Sequence, residues 1–214
     1  MDFSDFLNLI PKIKYAILPG ETAHAKMSPP ERREIMKTLD LEAKKPKQAA
    51  VLMLFYPRNE KTNFALIIRN SYPGVHSSQI AFPGGKLEPR DASFEDAALR
   101  ETHEEIGITR DQITVVRQFS QVYIPPSNFL VHPFFGYSGR ELVFDPDPAE
   151  VAGMIEMPLD HFLDDANSAL HQMSTSYSES IAVPVFTLGE HRVWGATAMM
   201  MSELKTVLQS AMVR

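Results

Sequence analysis

The chain has 214 residues, 44% hydrophobic and 22% charged, a composition ordinary for one soluble globular domain with extensions. It contains no cysteine, which removes disulfides, thiolate zinc sites and cysteine nucleophiles, and leaves hard oxygen atoms as the means of holding a metal. A formal charge of −6 argues against a general binder of nucleic acid or anionic membrane, and no run is apolar enough for long enough to span a bilayer.

Residues 1–48 read as a helical extension: an apolar stripe of Phe3, Phe6, Leu7, Ile10, Ile13 and Ile17, the turn Leu18-Pro19-Gly20, then a charged segment opening at Pro29-Pro30. The stripe suits either the domain's own core or a homodimer interface. Acidic residues at the start and Pro11 and two lysines within the apolar part exclude a secretory signal. Met212-Val213-Arg214 is no peroxisomal address, so a cytoplasmic location is expected. Residues 49–214 form the domain. Ala49–Tyr56 is short, apolar and bounded by turn residues, which predicts a buried strand with Phe64–Arg69 as its hairpin partner. A short strand at Gln79–Phe82, a Gly84-Gly85 loop and a helix follow. Strands are predicted at Ile113–Tyr123, Phe129–Tyr137 and Val151–Met157, a helix from Pro158 to Leu163, a hairpin within Ile181–Trp194, and a last helix over Ala196–Met212. Interleaved strands and helices predict an α/β (α+β) fold, a mixed sheet with helices on its faces.

The helix after Gly85 carries the chemistry. Ser93 with Asp96 resembles a capping box and Gly107 suits a left-handed cap, so the helix is bracketed at about Phe94–Ile106. At about 100° per residue, Glu105 lies roughly 40° from Glu101 and Glu104 roughly 60° to the other side, while Leu99 and Ile106 face away. Like charges at this spacing repel by about 0.2–0.5 kcal/mol per pair unless a cation joins them. Arg100 flanks the acidic face and is expected to clamp Asp91 from the preceding loop. Three glutamates alone suit a solvated face; the two glycines add a close backbone approach and the Gly85 carbonyl as a further oxygen donor.

These residues resemble the Nudix hydrolases, whose box is G-x5-E-x7-R-E-U-x-E-E-x-G-U with U apolar. Gly85, Arg100, Glu101, Glu104, Glu105, Gly107 and Ile108 match. Asp91 stands at the first acidic position, eight residues rather than seven precede Arg100, and Thr102 takes an apolar place. The longer spacing is similar to that of coenzyme A pyrophosphatases, as are Leu66, Arg69, His76, Gln79, Phe82 and Pro83 of an upstream signature, in which Pro73-Gly74 replaces Leu-Arg and Asn70 and Ser78 replace Ser and Gly. The resemblance implies an α/β/α sandwich and one or more Mg²⁺ or Mn²⁺ ions held by Glu101 and Glu105, with Glu104 as a further ligand or general base and Gly85 as a backbone ligand. Glu141, Asp145 and Glu150 are downstream alternatives for the base.

The implied reaction is hydrolysis of coenzyme A, or acyl derivatives, to 3′,5′-ADP and a 4′-phosphopantetheine product. Cleavage of ADP-ribose or another nucleoside diphosphate derivative, and a nucleotide-binding regulatory module without turnover, are the alternatives. Arg69, His76 and Lys86 are expected phosphate contacts and Gln79 a polar one. His103 falls away from the glutamates, and His132 suits a satisfied strand residue. Trp194 suits the core, with stacking on a base as the alternative; Met199–Met201 suit the core, and Arg32-Arg33 and Lys44-Lys45 a solvated surface.

Overall fold

The computed structural model describes residues 1–70, 79–173 and 181–213. The N-terminal segment is helical: α1 (Phe3–Leu7), α2 (Ile10–Tyr15), α3 (Glu21–His24), α4 (Pro30–Lys37) and α5 (Leu41–Lys44). Its stripe is less continuous than the periodicity predicts. Pro11 sits in the first turn of a separate helix, and Ile17, beyond the end of α2, is 95% exposed. Phe3, Phe6 and Ile13 are buried, and Phe6 stacks on Phe55 with ring centroids 5.0 Å apart.

Strand β1 (Lys47–Arg58) organises the rest, because its buried residues alternate between two cores. Ala50, Leu52, Leu54 and Tyr56 face one side; Ala49, Val51, Met53 and Phe55 face the other. A strand covered on both faces reads as an unbroken apolar run. Strand β2 (Lys61–Arg69) returns antiparallel through Asn59-Glu60, both at positive φ as a tight hairpin turn requires. The short β3 (Ile80–Ala81) pairs with β2. Where the sequence predicts a glycine loop, Gly84–Lys86 is instead a strand, β4, antiparallel to β1. Gly84, at φ 150°, would place a Cβ 2.5 Å from the Val51 Cα, so only glycine lets the two backbones approach this closely.

Helix α6 (Phe94–Ile106) covers the Ala50 side with Ala97, Ala98, Leu99 and Ile106. The predicted strand over Ile113–Tyr123 is broken into β5 (Thr114–Gln118) and β6 (Val122–Ile124), both antiparallel to β7 (Phe129–Tyr137), which runs parallel to β1. Strand β8 (Val151–Pro158) pairs with β2 and leads into α7 (Leu159–Leu163). A separate antiparallel sheet of β9 (Ser168–Met173), β10 (Ile181–Leu188) and β11 (His191–Val193) includes the expected hairpin plus β9, whose exposed Leu170 and polar residues give no strand signal. Helix α8 (Gly195–Met212) packs against α2 and α3 on the Phe55 side, completing an α/β/α arrangement around a mixed sheet.

The N-terminal segment and α8 are tied by polar contacts as well. Buried Glu203 accepts the Gly20 N–H at 2.9 Å and, between β5 and β6, the Ser120 N–H at 3.1 Å and hydroxyl at 2.6 Å. Lys12 Nζ donates to the Ala211 carbonyl at 3.0 Å near the end of α8, where orphan carbonyls favour a cation.

Candidate active site

The bounds of α6 follow from its caps: Ser93 Oγ accepts the Asp96 N–H at 3.1 Å, and Gly107 is left-handed at φ 74°. Thr102, in the place where an apolar residue is usual, is buried with its hydroxyl donating to the Ala98 carbonyl at 2.7 Å. The loop before the helix is clamped as expected. Arg100 donates to both carboxylate oxygens of Asp91, at 2.7 and 3.0 Å, and to the Lys86 carbonyl at 3.1 Å. This pairing holds the Asp91 carboxyl below the usual carboxylate range, and Asp91 raises the Arg100 guanidinium in turn. Arg100 also reaches Glu101 at 2.8 Å and Glu104 at 2.7 Å, so one guanidinium aligns much of the acidic face.

The three glutamates of the acidic face have different surroundings. Glu105 is 1% exposed; its carboxylate accepts the Gly84 N–H at 2.7 Å and an Arg69 N–H at 3.2 Å. Burial outweighs both contacts and pushes its pKa up to about 7. Glu101 is half-buried, and desolvation raises it too, against the pull of Arg100. Gly85 lies against this carboxylate: a Cβ there would sit 2.5 and 2.6 Å from its two oxygens. Glu104 is exposed and held by Arg90 at 2.9 Å as well as by Arg100.

The third carboxylate beside Glu101 and Glu105 is Glu150. One oxygen from each of these three residues lies within 4.8 Å of the others, a hard-oxygen set suited to Mg²⁺ or Mn²⁺. Glu150 arrives by backbone pairing, because the Asp145 and Asp147 N–H groups donate to the Ile106 and Glu105 carbonyls and the Glu150 N–H to the Asp147 carbonyl. The alternatives Glu141 and Asp145 are elsewhere: Glu141 accepts the Asn59 N–H at the β1–β2 turn, and Asp145 packs against Gly107.

A cavity of about 650 Å³ borders this group through Gly84, Gly85 and Arg69. Its walls are mostly apolar, with Phe129, Val131 and Met200 among them, and it also holds Gln79 and Lys86. Of the expected phosphate contacts, Arg69 and Lys86 are thus together with the expected polar contact Gln79, while His76 lies outside the described residues. Trp194 is half-buried at the cavity rather than deep in the core. His103 is exposed, and His132 is a satisfied strand residue, bonded to Gln48 at 2.8 Å and stacked on Phe94. The expectation of a solvated Arg32 is overturned. It is 5% exposed, anchored to the Tyr123 carbonyl at 2.9 Å, and lines the cavity because α4 turns that side inward.

The NUDIX domain family matches residues 46–176. The chain is similar to NudL of Photorhabdus laumondii, described as an uncharacterised Nudix hydrolase, with 31% identity over 164 residues covering 76% of this chain and 86% of NudL. It is similar also to mitochondrial coenzyme A diphosphatase NUDT8 of Homo sapiens, with 31% identity over 156 residues covering 72% of this chain and 66% of that protein. In fold it is similar to a MutT/nudix family protein from Enterococcus faecalis, with a TM-score of 0.54 at 17% identity over 87% of this chain and 72% of that one. With its carboxylate helix inside the matched span and a relative alike over most of both lengths, this chain belongs to the Nudix family and is a hydrolase.

Proposed function

We propose that the chain is a divalent-metal-dependent diphosphatase that cleaves coenzyme A or an acyl derivative into 3′,5′-ADP and a 4′-phosphopantetheine product. The observation that carries this reading is the junction of a three-carboxylate group with a cavity that has both cations and long apolar walls. Coenzyme A has the matching parts: a diphosphate, a further phosphate, a base and an extended pantetheine arm. The similarity to a named coenzyme A diphosphatase supports the same substrate class.

Glu101, Glu105 and Glu150 are the proposed ligands, with the Gly85 carbonyl as a further donor. A bound Mg²⁺ or Mn²⁺ supplies a more acidic water and neutralises charge developing on the phosphoryl oxygens. Arg100 keeps Glu101 aimed, and its bond to Asp91 keeps the loop at Gly85 in place. Arg69 and Lys86 receive the diphosphate, and Gln79 orients it. Glu150, inside the carboxylate group, is better situated to accept a proton than Glu104, which two arginines engage at the surface. Glu104 then balances the charge of Arg90 and Arg100.

The test is incubation of the protein with Mg²⁺ or Mn²⁺ and coenzyme A, dephospho-coenzyme A, ADP-ribose or NADH, with products identified by mass. Release of 3′,5′-ADP from coenzyme A is the expected result. Preferential cleavage of ADP-ribose overturns the substrate, and absence of turnover on every compound overturns catalysis in favour of a binding module.

A further inference from the structure

The cavity has walls of two origins. Val51, Gly85 and Phe129 come from the span that matches the family, whereas Arg32 and Trp194 come from segments on either side of it. In a chain of net charge −6, the described residues lining this cavity include Arg32, Arg69 and Lys86 and no carboxylate. The cavity wall is therefore locally cationic, with Arg69 paired to Glu105 and Arg32 lying 3.8 Å from the exposed Glu21, and its cations are spread out. Arg69 ends β2 beside Glu105, while Arg32 is anchored to Tyr123 on β6. Arg69 also donates to the Gly84 carbonyl on β4, and β4, β1, β7 and β6 are successive neighbours at this end of the sheet, so the two anchor strands lie about 14 Å apart at ordinary strand spacing. A diphosphate held at Arg69 and the carboxylate group does not extend over that span by itself.

We propose that Arg32 determines specificity by receiving a second anionic group of the substrate, a phosphate monoester carried on the nucleoside, while the scissile diphosphate lies at Arg69 and the carboxylates. This rests on the diphosphatase reading above and assigns the discrimination to a residue of the N-terminal segment. The planar guanidinium suits a phosphate monoester, and its bond to the Tyr123 carbonyl holds it in place before the ligand arrives. Phe129 and Trp194, on the same cavity, offer rings to the base carried by the sugar between the two anionic groups.

Calorimetric titration of the full chain with 3′,5′-ADP and with 5′-AMP, in Mg²⁺, tests the assignment. The wild type is expected to bind the bisphosphate about tenfold more tightly, Arg32→Gln to reduce that preference to near unity, and Arg32→Lys to be intermediate. The 5′-AMP affinity serves as the internal control for folding. A wild type that fails to discriminate overturns the proposal without any variant, as does a loss of both ligands alike in a folded Arg32→Gln protein. Should Arg32→Gln not fold, undiminished discrimination by Arg32→Lys overturns it and reduced discrimination supports it. Turnover of coenzyme A with a preference indifferent to Arg32 sinks this assignment and leaves the proposed reaction standing; an Arg32-dependent preference without such turnover does the reverse.

Discussion

The two faces of the central sheet are built on different plans. On the Ala50 side, α6 and its flanking loop gather Asp91, Arg100, Glu101 and Glu105 within fifteen consecutive residues, positions 91–105, so most of the acidic group is local in the chain, with Glu150 joining from a distance. On the Phe55 side, α1, α2 and α8 close the core and α4 and α8 wall the cavity through contacts between the two ends of the sequence. The charged face is organised by hydrogen bonds to a few arginines, and the apolar face by packing. Changes to the first should therefore alter turnover, and changes to the second should alter stability first.

The sharpest test of that contrast is Glu105→Gln, expected to lower kcat by on the order of 10³-fold, about 4 kcal/mol, with little effect on substrate binding. A variant retaining full rate would break the assignment of the carboxylate group. Phe6→Ala removes a fully buried ring stacked on Phe55 and should cost about 3–4 kcal/mol in chemical denaturation, with kcat nearly unchanged in the folded fraction. Gly85→Ala pushes a methyl group into the Glu101 carboxylate and should slow turnover by about 10²-fold, since small displacements of a catalytic group have large effects. If Gly85→Ala were as active as the wild type, the close approach would have no catalytic meaning.

The smallest effect is in pH dependence. Glu105 titrates near 7 in the folded, metal-free chain against 4.5 for an ordinary glutamate, so between those values the folded state holds a proton that the unfolded state has released. That contribution is fully present below the lower value and is lost as pH rises through the upper one. Metal-free Glu105→Gln should thus gain stability over the wild type by about 1–3 kcal/mol at pH 8 relative to pH 5 in thermal melts. Added Mg²⁺ should narrow the gap by stabilising the wild type alone. A gap independent of pH would contradict the burial of this carboxylate as its controlling influence.

Much of the charged face was legible because its signals are local. Ser93 and Gly107 mark the ends of α6, the spacing of Asp91 from Arg100 anticipates their clamp, and β7 has the predicted bounds. Glu150 was only one of several downstream candidates, since its nearness to Glu105 depends on backbone bonds made by Asp145 and Asp147. Arg32 reads as a surface residue in a charged helix until Tyr123, ninety-one positions later, folds against it. Gly84 and Gly85 read as a loop because nothing in their neighbours reveals that β1 will pair with them.

The bond from Lys12 to the Ala211 carbonyl and the seating of Gly20 on Glu203 have a consequence for the order of assembly. Helix α8 follows every other element in the chain, yet it supplies Met200 and the turn after Trp194 to the cavity. During synthesis, the carboxylate helix and the strands it covers emerge well before the wall that faces them. The nascent chain can assemble its carboxylate helix early, but it gains an enclosed cavity only when the last helix docks on the N-terminal helices.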